Sequence, residues 1–122
     1  MRLLVFGTTL VSALLMTTLP LQAETLAELS ALSDRSADEQ SGIALAQDQA
    51  GQGALLEAIA TLERTLAANP KSESARLLHA FYLCKVDDRT GGAVEIGKLK
   101  VKKHMKQDLA QVRAACGLPA KD

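Results

Sequence analysis

The chain predicts an all-α fold, on three observations. Leu and Ala dominate it, while the aromatic residues are only Phe6, Phe81 and Tyr82 and there is no Trp. Ala and Leu are strong helix formers, whereas sheets draw on β-branched and aromatic residues. Apolar residues also recur at three- and four-residue steps, between short breaks built from Gly, Pro, Asn and Asp.

The first segment stands apart from the fold. Arg2 precedes an uncharged run from Leu3 to Ala23, and Leu21-Gln22-Ala23 places a small residue before Glu24. This order is that of a secretory signal peptide over 1–23, cleaved after Ala23. The alternative is an uncleaved membrane anchor. The run is 21 residues long, near the ~20 that span a bilayer. Pro20 and Gln22 interrupt its end and no basic flank follows. Cleavage leaves 99 residues, the size of one small domain.

Residues 24–38 read as an N-terminal helix and linker. Leu26, Leu29 and Leu32 share a face, and the polar, turn-rich stretch Ser33–Ser41 reads as linker or a helix entry. Ile43, Leu45, Ala46 and Ala50 predict a weakly apolar helix that stops at Gly51-Gln52-Gly53. Leu55, Ala58, Ile59, Leu62, Leu66 and Ala67 then form a continuous stripe. Pro70 ends that helix, because the residue before a proline is pushed out of helical geometry. Ser72 is positioned as the N-cap of the next helix and Glu73 complements its dipole.

The helix from Glu73 to Val86 is apolar nearly all round, so it is expected at the centre, covered on several sides. After the turn Asp87–Gly92, Ala93 to Leu99 predicts another helix. Lys98–Lys106 reads as a basic connection or helix end. Leu109, Val112, Ala115 and Cys116 predict a last helix, stopped by Gly117.

The 62 residues from Glu39 to Lys100 resemble two tetratricopeptide repeats (TPR), helix pairs with a period of about 34 residues. In the first unit Leu45-Ala46, Gly53, Ala58, Leu62, Leu66 and Pro70 match the pattern. In the second, Ala80, Leu83, Gly92, Ile96 and Leu99 do, with Asp87-Asp88 at the turn. Gln49, Thr65, Arg76 and His79 depart from it. The resemblance implies a short α-solenoid of antiparallel helix pairs over 39–119, with a C-terminal capping helix. Small residues at Ala46, Ala58, Ala80 and Gly92 would let helix backbones approach.

Charge and cysteine content narrow the function. Glu24 to Pro70 carries eight acids and two bases, net −6; Lys71 to Asp122 carries eleven bases and six acids, net +5. Lys98, Lys100, Lys102, Lys103 and Lys106 form a basic patch that is either a solvated helix end or an attractor of anionic partners. No stacking aromatics lie nearby, which argues against nucleic acid. Cys84 and Cys116 lie in the exported part, where an even count suggests one disulfide; two buried free thiols are the alternative.

No motif for catalysis, metal or cofactor is present. His79 and His104 lack a second His or Cys at ligand spacing, and the cysteines make no CxxC. There is no phosphate loop or serine elbow. The expectation is therefore a non-enzymatic protein–protein interaction module, adaptor or scaffold, of the bacterial periplasm or cell envelope, with a protein or peptide partner and no cofactor. The TPR resemblance implies that the first helix of each pair presents the partner face, giving Ser74, Leu77, Leu78, Phe81 and Lys85, unless the acidic N-terminal helix folds over them. The alternative is a small helical protein that binds membrane surfaces through Lys98–Lys106, although its apolar face is only Leu99, Val101 and Met105.

Overall fold

The computed structural model describes residues 26–120. The signal-peptide reading of 1–23 and the expected mature start at Glu24 lie outside them. The described residues form six α-helices and one 3-10 turn, without strands: α1 Leu26–Ala37, α2 Glu39–Gly51, α3 Leu55–Ala68, α4 Glu73–Lys85, α5 Arg89–Lys98 and α6 Lys106–Ala115, with the turn at Lys103–Met105. The all-α expectation holds.

Two boundaries differ from the sequence reading, and each difference traces to a capping aspartate. The polar run Ser33–Ser41, read as linker or helix entry, is mostly helix. α1 continues through Ser33–Ala37 and the chain breaks only at Asp38, which is extended (ψ 130°) and accepts from Ser41 N at 2.8 Å. Polar side chains fit a solvent-facing helix, so composition alone does not end one. Likewise α5 starts at Arg89 rather than Ala93, because Asp88 accepts from Gly91 N at 2.8 Å and nucleates the turn there. Asp87 takes φ 69°, a left-handed conformation that Asp tolerates better than most side chains.

The other helix ends follow the sequence signals. Gly53 (φ 82°) makes the turn after α2. Ser72 Oγ accepts from Ala75 N at 3.1 Å and caps α4. After α6, Gly117 (φ 67°) lets Leu118 N donate back to Arg113 O at 2.9 Å and its own N donate to Ala114 O at 3.0 Å, a Schellman-type ending.

α2 packs on α3, α3 on α4 and α4 on α5. α2 also touches α4, α1 lies on α2 and α3, and α6 lies on α4. α4 is central, as its all-round apolarity predicts, because it contributes to both core clusters. Ala75 and Tyr82 pack with Ala46, Ala58, Ile59 and Leu62. Leu77, Ala80 and Cys84 pack with Ile96, Met105, Val112 and Cys116. Ala46, Ala58, Ala80 and Gly92 are all buried. A Cβ on Gly92 would collide with Cys84 Sγ, so α5 approaches α4 as closely as a glycine allows.

Candidate interaction groove

The α3–α4 joint shows how a short linker can be rigid. Asn69 Nδ2 donates to Thr65 O (3.0 Å) and to Ala37 O (2.9 Å), tying the end of α3 to the end of α1. Ser72 Oγ donates to Glu39 Oε1 at 2.5 Å, tying the start of α4 to the start of α2. With both ends of the joint held, α2 and α4 are set in contact, and α6 also packs on α4.

Between these three helices lies a groove of about 460 Å³. Ser74, Leu77, Leu78 and Phe81 of α4 line it, facing Ile43 and Gln47 of α2 on one side. Met105, Asp108, Gln111 and Val112, with His104, form the other wall. Four of the five residues expected on a partner face are therefore brought together. The fifth, Lys85, sits at the end of α4 with its Nζ 5.7 Å from the centre of the Phe81 ring. The groove residues of α2, α6 and the 3-10 turn were not singled out from the sequence. The apolar spacing that marks Ile43 on α2 and Val112 on α6 names a helix face but gives no direction.

The lysines of the basic segment Lys98–Lys106 differ in their surroundings. Lys98 Nζ donates to Glu95 Oε1 at 2.7 Å, and the backbone N of Lys100 donates to Glu73 Oε2 at 2.9 Å. Lys102 lines a second concavity of about 490 Å³ at the α3–α4 joint, beside Lys71; it shares Ser74, His104 and Met105 with the groove. Lys103 and Lys106 are exposed. Of the apolar residues in this segment, Met105 is buried, Leu99 packs against the core, and Val101 is exposed.

A buried charge cluster braces α3, α4 and α5. Arg76 Nη1 donates to Glu95 Oε2 at 2.9 Å, and its Nη2 donates to Pro70 O at 2.8 Å. Burial opposes charge on Glu95, but Lys98 and Arg76 outweigh it and hold the carboxyl below its ordinary value. His79 is buried beside them, with Nδ1 3.7 Å from Glu95 and Nε2 3.8 Å from Glu63, both beyond hydrogen-bond length. It is a histidine packed into the core face of an apolar helix. The partner of Arg76, Glu95, lies one helix on, a pairing invisible to local sequence. Thr65 and Gln49 also have structural roles. Gln49 Oε1 accepts from Thr61 Oγ1 at 2.8 Å, and Thr65 Oγ1 donates to Thr61 O at 2.9 Å while its side chain fills the space above Gly42.

Cys84 and Cys116 are joined by a disulfide, Cα–Cα 5.0 Å, which pins the end of α6 to the end of α4. Among the described residues no group of three or more His, Cys, Asp or Glu is placed to hold a metal, and no helix is long and apolar enough to cross a membrane. No protein-family model, curated protein or solved structure matches the chain.

Proposed function

We propose that the protein is a non-catalytic interaction module, an adaptor or scaffold of the bacterial periplasm or cell envelope. It is read as a short TPR-like stack of two helix pairs, α2–α3 and α4–α5, capped by α6. The observation that carries this reading is the groove, whose apolar floor of Leu77, Leu78 and Phe81 is bordered by polar side chains such as Gln47, Ser74 and Gln111. An apolar floor with a polar rim suits the apolar face of a partner helix or peptide. The four buried small residues support repeat-type packing, and the disulfide suits an oxidising compartment.

The test is chemical crosslinking in the native envelope followed by mass spectrometry. It compares the wild type with Leu78→Glu and Phe81→Glu, and with Leu56→Glu at an exposed position on α3, away from the groove. The expected result is one protein captured by wild type and Leu56→Glu and lost from both groove variants. Capture that ignores the groove variants, or no specific capture, would overturn the reading.

A further inference from the structure

Residues 99–102 join α5 to the 3-10 turn and are themselves neither helix nor turn. Both ends of this segment are extended: Leu99 has φ −69° and ψ 133°, and Lys102 has φ −88° and ψ 154°. Lys100, Val101 and Lys102 are exposed. The peptide bond from Lys100 to Val101 is open on both sides, since neither Lys100 O nor Val101 N makes a hydrogen bond among the described residues. The other bonds that follow a lysine or arginine there are more protected. After Lys71, Ser72 is buried and its N donates to Asn69 O at 3.0 Å. Lys102 O accepts from Met105 N at 3.0 Å, and Lys103 O accepts from Lys106 N. The remaining lysines and arginines among the described residues lie in helices.

We propose that the Lys100–Val101 bond is a processing site for an endopeptidase that cuts after lysine. Exposed connections outside regular structure are where chains are cut, and an extended backbone with free N–H and C=O groups can pair with an enzyme's strand edge. Little has to open. The segment is tied by the exposed bond from Lys100 N to Glu73 Oε2 at 2.9 Å and by the packing of Leu99 against the core. Hydrolysis consumes one water: the C–N bond breaks, Lys100 gains a carboxylate and Val101 an amine. The two products stay together, because Cys84 lies before the cut and Cys116 after it. The wall of the groove that includes Met105, Asp108 and Val112 then keeps its packing on α4, with the disulfide as its only covalent tie. The inference does not depend on what the groove binds.

The experiment has two arms. In the first, the folded, oxidised chain is treated briefly with trypsin, and the products are weighed with and without a thiol reductant. The first product is expected to be one water heavier than the intact chain, and reduction should split it into a piece ending at Lys100 and a piece beginning at Val101. Val101→Pro should lose this cut with an unchanged thermal melt, because Val101 N gives up no hydrogen bond and a proline there favours an extended Lys100. In the second arm, the protein is recovered from the native envelope under protease inhibitors and without reductant. The same disulfide-joined pair is expected in wild type and absent from Val101→Pro. A first tryptic cut after Lys71 or within a helix would overturn the proposal, as would an equally fast cut of Val101→Pro elsewhere in the segment. A chain that stays whole in the native envelope, even if trypsin opens it in solution, would overturn it as well.

Discussion

Glu95 reaches three other charged or titratable side chains from one buried position, so its removal is felt beyond its own contacts. In Glu95→Gln, Arg76 loses a 2.9 Å charge-assisted bond while its side chain stays only 16% exposed. The expected cost is about 1–3 kcal/mol near neutral pH, measured by denaturant unfolding. The pH dependence follows from the direction of the shift. The carboxyl is held below its ordinary 4.5 in the folded chain, so its contribution is complete above that pH. It is lost as the pH falls from about 4.5 through the lower folded value. The gap between wild type and Glu95→Gln should therefore narrow in acid; a gap constant from neutral pH to well below that range would refute the assignment. Tyr82 offers a second test. It is the only tyrosine and there is no Trp, and burial pushes its hydroxyl above the ordinary 10.0. Near-ultraviolet titration should place its midpoint higher in the folded protein than in denaturant, and the native state should weaken as the pH rises past 10.

At the scale of the element, α5 rests on two glycines with opposite surroundings. A Cβ at Gly92 would collide with Cys84 Sγ and lie 3.1 Å from both Ala80 O and Cys116 Sγ; a Cβ at Gly97 meets nothing within 4 Å. Helix propensity favours alanine at both sites by up to about 1 kcal/mol. Steric overlap reverses that at the first. Gly92→Ala should destabilise by about 1–3 kcal/mol through a forced separation of α4 and α5, whereas Gly97→Ala should be neutral or stabilising. Thermal melts of the two variants, compared directly, test whether the close α4–α5 approach is real. Equal effects at the two positions would show that it is not.

For the whole molecule, the disulfide is the main long-range constraint on a domain with few large residues in its core. It joins positions 32 apart in sequence. Loop-closure entropy assigns about 3–4 kcal/mol to a bridge of that span, against a typical total of about 5–15 kcal/mol for a domain. The double variant Cys84→Ala/Cys116→Ala should lower the melting temperature markedly. It should also free the end of α6, which hydrogen exchange would report as faster exchange over Lys106–Ala115 than over α3. Uniform loss of protection across all helices would show instead that α6 is not a separately tethered element. Since α6 forms one wall of the groove, reduction should open the groove before it unfolds α2–α3.

Local sequence determined the helices and most of their ends. Stripe periodicity, Pro70, Ser72, Gly53 and Gly117 act within a turn or two of the backbone, where covalent geometry and capping operate regardless of what lies elsewhere. The central position of α4 was legible for the same reason, because a helix apolar on every side must be covered on every side. The starts of α2 and α5 were set by caps at Asp38 and Asp88 that the sequence reading did not use, whereas the Ser72 cap of α4 was legible. Only the tertiary structure decided which distant groups meet: Arg76 with Glu95, Gln49 with Thr61, and α2, α4 and α6 around one groove. It also decided how α1 sits, with Ser36 buried and Leu26 exposed at the other end of the helix. Periodicity tells which face of a helix is apolar but not what covers it, because helix–helix approach depends on side chains from several segments packing at once.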